Sequence, residues 1–341
     1  MLDRSSNNKN NKKPIVTIII PCRNEFNYIE KSVTSILNQK DLTGEIEIIV
    51  VDGLSDDGTR ERLEKLQLEF PNLKVIDNLK RITPFALNLG IKEAHGEFVC
   101  IMGAHSEYAE NYLSNSIKLM EKYPEASCVG GPITSEGNTN FGKAVALAMS
   151  SSIGVGNAKH RFPEYEGYAE IACFPVFRKE VFSQIGLYDE SLVRNQDDEF
   201  CSRLTSSGRK VYISPSVKSV YFVKDTPSKL FIQYFYYGLY KPLALNKVKT
   251  KIKIRHLVPF IFVIYLLSLP LAFRFSLWLL PIILYFLVIG WNILRSKLNV
   301  KSKLYLIIIY PLIHISYGVG FILGMSKLIK DNKFHPAKSK S

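Results

Sequence analysis

The first hundred residues alternate between short apolar runs and amphipathic stretches. VTIII, residues 16 to 20, is a β-branched run that predicts a strand. From Tyr28 to Asn38 the spacing turns helical, with Ile29, Val33, Ile36 and Leu37 on one face. EIEIIVVD, 45 to 52, predicts a second strand, and Asp56 or Asp57 can cap a helix carrying Leu63, Leu66 and Phe70. LKVID, 73 to 77, predicts a third strand. A helix follows from Thr83 to Ala94, with Thr83 as its cap and Pro84 at its first position. EFVCIM, 97 to 102, predicts a fourth strand. Repeated strand–helix units with almost wholly apolar strands predict an α/β fold, a mostly parallel sheet with helices on both faces. Further on the pattern is less regular. Helices are expected over 110–123, 140–152 and 197–207, and strands near Cys128, over 170–177 and over 210–221.

The last third changes character. SKLFIQYFYYGLYKPLA, Ser228 to Ala244, is aromatic with basic flanks and predicts a helix lying on a membrane surface. Three uncharged runs follow, Leu257 to Phe273, Phe275 to Leu294 and Leu304 to Met325. A crossing needs about 20 apolar residues, with about 17 as the lower limit. The first run is marginal, the second adequate and the third ample. Buried core helices explain one such run, but three in one tail predict C-terminal transmembrane helices. The expected organisation is a disordered basic arm (1–13), a cytoplasmic α/β domain (14–225), an interfacial region (226–256), about three membrane segments (257–325) and a basic tail (326–341).

The net charge of +13 over 341 residues raises the question of nucleic acid. Its placement answers it. Lys241, Lys247, Lys249, Lys251, Lys253 and Arg255 precede the first run, Arg295, Lys297, Lys301 and Lys303 separate the second from the third, and Lys327, Lys330, Lys333, Lys338 and Lys340 follow the last. Flanking basic residues mark the cytoplasmic membrane face, and no nucleic-acid recognition module accompanies them. A multi-pass protein of the plasma membrane is expected. Three full crossings put the basic tail outside, against the positive-inside bias. With Pro311, His314, Gly318, Gly320 and Gly324 in the third run, its crossing or re-entry stays open. The N-terminus lacks the apolar middle of a signal peptide. Five cysteines, Cys22, Cys100, Cys128, Cys173 and Cys201, have no CxxC spacing, which fits a reducing compartment and no structural zinc.

Ligands of parallel sheets bind beyond the carboxyl ends of the strands. PCRNE (21–25), VDGLSDDGT (51–59) and MGAHSEY (102–108) are therefore expected to converge on one crevice. Pro21 ends a ladder, and Arg23, Asn24 and Glu25 follow it. Asp52 can accept from a base edge or a ribose hydroxyl. The stretch is not GxGxxG, which counts against a dinucleotide fold. Arg81 can meet a phosphate, and Asn88 sits on the next helix, where packing is the alternative. In RNQDDEFCSRL, 194 to 204, Asp197, Asp198 and Glu199 open a helix. The helix dipole accounts for one or two of these acids, and a carboxylate at the crevice mouth can be a general base.

Together, PCRNE, EIIVVDGLSDDGT, the ALNLGI helix, MGAHSEY after its strand, FRKEVFSQIGLYDESLVRNQDDEF, QYFYYGLYK and RHLVPF resemble the family-2 glycosyltransferases. The likeness is above all to membrane-bound exopolysaccharide enzymes of the succinoglycan type, over about residues 14 to 325. The resemblance implies a nucleotide-sugar-binding (GT-A-like) fold. It also implies an inverting transfer from a nucleotide sugar, a UDP-sugar first of all, to a polyprenyl-linked saccharide in exopolysaccharide or cell-surface glycan synthesis. Pro21, Arg23, Asn24 and Glu25 would line the nucleotide pocket, with Asp52 on the base. The family's acidic pair falls on Gln196 and Asp197, with the register anchored by Arg203 and Leu204. Asp197 is then the general base, and Asp198 the alternative. A divalent cation, Mn2+ or Mg2+, would neutralise the leaving diphosphate.

Two departures matter. Gly103 stands where the family has its first aspartate, and His105 stands at the second position. His105 is either a ligand suited to manganese or a hydrogen-bonded loop histidine. Gln233 is followed by Tyr236 and Tyr237 where processive relatives carry arginine and tryptophan, which points to addition of one sugar. A catalytically inactive scaffold in a polysaccharide assembly complex is the competing reading. The missing aspartate favours it and the NQDDE cluster opposes it.

Overall fold

The structure is a computed structural model that describes residues 13–249 and 252–334. The expectations for the N-terminal arm, for Lys251 and for the end of the basic tail lie outside the described residues. The first half runs β1 (Val16–Cys22), α1 (Ile29–Leu37), β2 (Ile46–Asp52), α2 (Thr59–Glu69), β3 (Leu73–Asp77), α3 (Thr83–Glu93) and β4 (Phe98–Ile101). β3, β2, β1 and β4 are parallel neighbours in that order. Alternation across the pleat explains their unbroken apolar sequence. Ile18, Ile20, Ile48 and Val50 pack with α1 and α2, while Ile19, Ile49 and Val51 pack with α3 on the other face.

Two caps differ from expectation. The cap of α2 is Gly58, at φ 92, and Asp57 Oδ1 accepts from Thr59 N at 3.1 Å. Only glycine takes that left-handed turn without strain, so it displaces the aspartates from the cap position. Ile82 is the extended residue before α3, and Thr83 is already helical.

The chain continues through β5 (Ser106–Tyr108), α4 (Tyr112–Lys122), β6 (Ala126–Gly131), β7 (Thr134–Glu136), α5 (Asn140–Met149), the single turn α6 (Ser152–Val155), β8 (Gly167–Ala169) and β9 (Cys173–Arg178). Then come α7 (Glu180–Ile185), α8 (Gln196–Ser206), β10 (Lys210–Ile213) and β11 (Ser219–Phe222). The main sheet has eight strands in the order β3-β2-β1-β4-β9-β6-β10-β8. β9 is antiparallel to both neighbours. The stretch expected as one strand over 210–221 is two strands in different sheets. Pro215 lies between them, and β11 joins β5 and β7 in a three-stranded sheet.

The tail consists of α9 (Pro227–Val248), α10 (Ile254–Ser268), α11 (Leu280–Arg295) and α12 (Val300–Phe334). Among the described residues, two helical segments are long and apolar enough to cross a membrane, Ser276–Arg295 and Val300–Lys330. The first apolar run forms only the 15-residue α10 and a 3-10 turn. α11 leaves Leu287, Trp291 and Leu294 uncovered, a surface that lipid suits. α12 runs on without a break through Pro311. Its glycines are sites of close approach. A Cβ on Gly320 or Gly324 would lie 2.1 or 2.3 Å from the carbonyl of Phe235 or Leu239 in α9. One on Gly318 would lie 2.3 Å from the Pro259 carbonyl in α10. The Gly320-x-x-x-Gly324 spacing is a small-residue seam of the kind that joins apolar helices.

The tail is not a detached anchor. Val145 and Met149 of α5 share one buried core with Leu230 and Tyr234 of α9 and Ile309 and Ile313 of α12.

Candidate active site

The loops after β1 and β2 are bonded to each other. Asn24, at φ 55, donates from Nδ2 to Asp56 Oδ1 at 2.9 Å, and its Oδ1 accepts from Asp56 N at 3.1 Å. Glu25 N donates to Thr59 Oγ1 at 2.8 Å. Asp52 is buried at the end of β2, where it accepts from Ser55 N at 3.3 Å and lies 3.5 Å from Arg60 Nη1. Pro21 is half-buried in β1, and the Arg23 side chain is exposed.

The third loop joins this group through His105. Its Nε2 lies 2.6 Å from Glu25 Oε2, in an approach not aligned as a hydrogen bond, and that buried oxygen has no hydrogen-bond partner. The imidazole packs on Tyr28, with ring centroids 4.2 Å apart. Gly103 accepts at its carbonyl from Ser32 Oγ at 3.1 Å and from Tyr108 OH at 3.2 Å. A Cβ at Gly103 would come 3.0 Å from Phe174 Cε1, so the Phe174 ring occupies the space an aspartate side chain would enter. Among the described residues no group of three or more His, Cys, Asp and Glu could hold a metal ion. Glu25 and His105 form a pair of suitable donors, one of them with an unpartnered oxygen, to which a diphosphate could add its own.

Arg81 lies on the loop after β3 and Asn88 on the helix that follows it, and Asn78, which holds Arg81, donates from its amide to Asp52 O at 2.7 Å. Arg81 is exposed at φ 56, with its amide held by Asn78 Oδ1 at 3.1 Å. Asn88 is buried. Its amide donates to Tyr188 O at 2.9 Å and Glu190 Oε1 at 3.1 Å, and accepts from Tyr188 N at 2.9 Å. It thus fixes the segment that leads to α8. Arg203 does similar work from within α8, donating to Leu187 O at 2.7 Å and to Glu199 Oε2 at 3.0 Å.

α8 opens at Asn195, a left-handed residue whose Nδ2 donates to Tyr237 O of α9 at 3.0 Å. That bond holds the acidic turn against the tail. Asp197 and Asp198 line a cavity of about 310 Å³, walled by α8, the segment around α6, and helices α9, α10 and α12. Asp198 Oδ2 accepts from Lys241 Nζ at 2.6 Å. Burial alone would raise the Asp198 carboxyl, but the Lys241 ammonium overrides it and holds the group below its ordinary value. Asp197 is exposed at the lining of the cavity. Loss of solvation in the cavity, reinforced by the charge of Asp198, raises the Asp197 carboxyl above its ordinary value. The two neighbours are therefore split, and Asp197 is the better proton acceptor.

Gln196 precedes them, with a buried Oε1 that has no hydrogen-bond partner. Gln233 connects the cavity to the strand-end cluster. Its Nε2 donates to Tyr237 OH at 3.0 Å and to Tyr221 OH at 3.2 Å. Tyr221 precedes Phe222 in β11, and β11 pairs with β5 just after His105.

The sequence reading missed the rest of the cavity wall. His160, Arg161, Lys241, His256 and Tyr317 all face it. Lys241, expected as a charge flanking the first apolar run, is instead buried and paired with Asp198. His160 and Arg161 lie in an irregular stretch with no periodicity to mark them. Burial, with the adjacent Arg161, pushes the His160 imidazole down to about 3, so it is neutral beside Asp198.

A half-parallel sheet with polar strand-end loops, an acidic pair opening α8 and an apolar helical tail are features of the GT-A-like class of enzymes. The profile described as Glycosyl transferase family 2 matches residues 17–186. The chain is 32% identical over 247 residues to Succinoglycan biosynthesis protein ExoA of Rhizobium meliloti (strain 1021), covering 71% of this chain and 73% of that one. It is 29% identical over 321 residues to the Dolichyl N-acetyl-alpha-D-glucosaminyl phosphate 3-beta-D-2,3-diacetamido-2,3-dideoxy-beta-D-glucuronosyltransferase of Methanococcus voltae, covering 92% and 97%. Its fold is similar to that of the mannosyltransferase PcManGT from Pyrobaculum calidifontis, solved with GDP-Man and Mn2+, at a TM-score of 0.58 and 16% identity over 93% of this chain and 88% of that one. The chain belongs to glycosyl transferase family 2, and it is a glycosyltransferase.

Proposed function

We propose that this glycosyltransferase moves one sugar, with inversion, from a nucleotide-sugar donor to a lipid-linked saccharide at the cytoplasmic face of the plasma membrane. The observation that carries the reading is the position of Asp197, in a cavity between the catalytic sheet and the apolar tail. An acceptor hydroxyl carried on a membrane lipid reaches such a cavity without leaving the interface. The relative from Methanococcus voltae, named for a dolichyl-linked sugar phosphate, supports that acceptor class. The relative from Rhizobium meliloti, named for succinoglycan biosynthesis, supports a polysaccharide setting.

In this mechanism Asp197 takes the proton of the acceptor hydroxyl. The oxygen attacks the anomeric carbon from the side opposite the nucleotide. The bond from that carbon to the diphosphate breaks, and its electron pair leaves with the diphosphate. Lys241 keeps Asp198 ionised, and the adjacent negative charge makes Asp197 more basic. Pro21, Arg23, Asn24, Glu25 and Asp52 form the nucleotide side, and a UDP-sugar is the first donor to assay. Glu25 and His105 would hold a divalent cation, which when bound neutralises the diphosphate.

The test is transfer from radiolabelled nucleotide sugars by membranes containing the protein, with and without Mn2+. Label should enter the lipid fraction, and Asp197→Asn should abolish that. No transfer from a broad donor panel by the purified wild type sinks the reading.

A further inference from the structure

Three buried polar atoms without a hydrogen-bond partner line the same cavity: Arg161 Nη1, His256 Nδ1 and Tyr317 OH. They arrive from three separate elements, the loop after α6, α10 and α12. Native interiors leave few polar atoms unpaired, and three around one cavity offer a polar ligand three hydrogen-bonding positions. The charges narrow its chemistry. Lys241 is matched by Asp198, and Arg255 is matched by Glu170. Arg161 makes no ion pair among the described residues, and it is a guanidinium with a free edge. A guanidinium, an imidazole and a phenol together suit a phosphate or diphosphate.

The walls narrow its source. His256 and Tyr317 belong to the tail helices, and Val258, Pro259 and Ile313 continue the same wall as an apolar surface. A charged head with an apolar chain fits that sequence of surfaces. A volume of about 310 Å³ lies at the lower end of the range for small-ligand sites, enough for a headgroup and not for a whole lipid.

We propose that this cavity binds the phosphate of the lipid-linked acceptor, with Arg161 as the anion ligand and His256 and Tyr317 completing its cradle. The inference rests on the lipid-linked acceptor proposed above. It adds that the membrane helices recognise the acceptor's phosphate directly, and so fix how far the reacting hydroxyl stands from Asp197.

The experiment uses the full chain in lipid nanodiscs, with a labelled polyprenyl diphosphate and the uncharged polyprenol of the same length as probes. Wild type should prefer the diphosphate. Arg161→Gln and His256→Ala should each weaken its binding by about 10–100-fold. Tyr317→Phe, which removes a single oxygen, should weaken it by about tenfold. Polyprenol and UDP binding should not change. If wild type binds the diphosphate lipid and all three variants bind it as well, this site is wrong while the enzyme reading stands. If wild type binds neither lipid, both fall. Loss of UDP binding in Arg161→Gln with lipid binding intact assigns the guanidinium to the donor and overturns the proposal. Displacement of the lipid by inorganic pyrophosphate at equal concentration overturns the lipid source.

Discussion

Lys241 Nζ stands 2.6 Å from Asp198 Oδ2, and Asp197, one residue earlier in α8, has no ion-pair partner among the described residues. A helix from the tail thus neutralises one carboxylate of the catalytic domain and leaves its neighbour available.

Exchange of the two acids separates their roles. Asp197→Asn should lower kcat by about 10²–10⁴-fold, the usual worth of a general base, with little change in stability. Asp198→Asn should retain much more turnover and lose stability instead, because Lys241 is 10% exposed and would be left without its partner. The loss should be about 1–3 kcal/mol, below that of a fully buried pair since Asp198 is 32% exposed. Single-turnover transfer and thermal unfolding read the two effects. The opposite pattern would make Asp198 the base.

The pH profile carries the same assignment. A base works only when deprotonated, so activity falls as pH drops through the Asp197 pKa. Burial and the charge of Asp198 raise that pKa, which puts the acid limb of kcat/KM above the ordinary aspartate value of about 3.9. Asp198→Asn removes the negative charge that raises Asp197 and should therefore move the limb to lower pH. A limb that stays in place would separate Asp198 from the titrating group.

Much of this was legible in the sequence, and the limit is physical. The parallel half announced itself because Ile18, Ile19, Ile48 and Ile49 are buried on both faces, which demands an unbroken apolar strand. NQDDE was visible as more acid than a helix dipole needs. The resemblance put Asp197 ahead of Asp198, but the electrostatic cause of that division was not legible, since it depends on Lys241, 43 positions after Asp198. Arg161 was invisible for the same reason. Its importance comes from what three distant elements leave unpaired around it. Gly103 read as a gap in a motif, whereas in the fold Phe174 fills the space beside it, and Phe174 is 71 positions away in sequence.

The cation pair offers a third test. If Glu25 and His105 hold a divalent ion, His105→Ala should raise the Mn2+ concentration needed for half-maximal activity by about 10-fold or more. Glu25→Gln should do the same, because it removes the charge of the other donor. Metal titration of transfer activity reads both. Full activity at unchanged Mn2+ in both variants would place any metal elsewhere. Asp52→Asn should leave the metal titration alone and weaken nucleotide binding.

The seam between α9 and α12 tests whether the tail shapes the site or only anchors it. Gly238 lies in α9 where a Cβ would come 2.0 Å from the Tyr317 carbonyl. No rotamer relieves a clash with backbone, so Gly238→Ala must part the helices. Tyr317 and Lys241 flank that contact and both face the cavity. Parting should therefore disturb the acid pair and the far wall together. We expect a loss of about 1–3 kcal/mol in unfolding free energy and a raised KM for the lipid acceptor. Gly290→Ala is the matched control, since a Cβ there meets nothing within 4 Å on α11. It should stay within about 0.5 kcal/mol of wild type and keep its kinetics. If Gly238→Ala loses stability yet keeps the acceptor KM, the tail is an anchor and the cavity does not depend on its packing. If both parameters move while the control moves neither, the membrane helices are part of the active site.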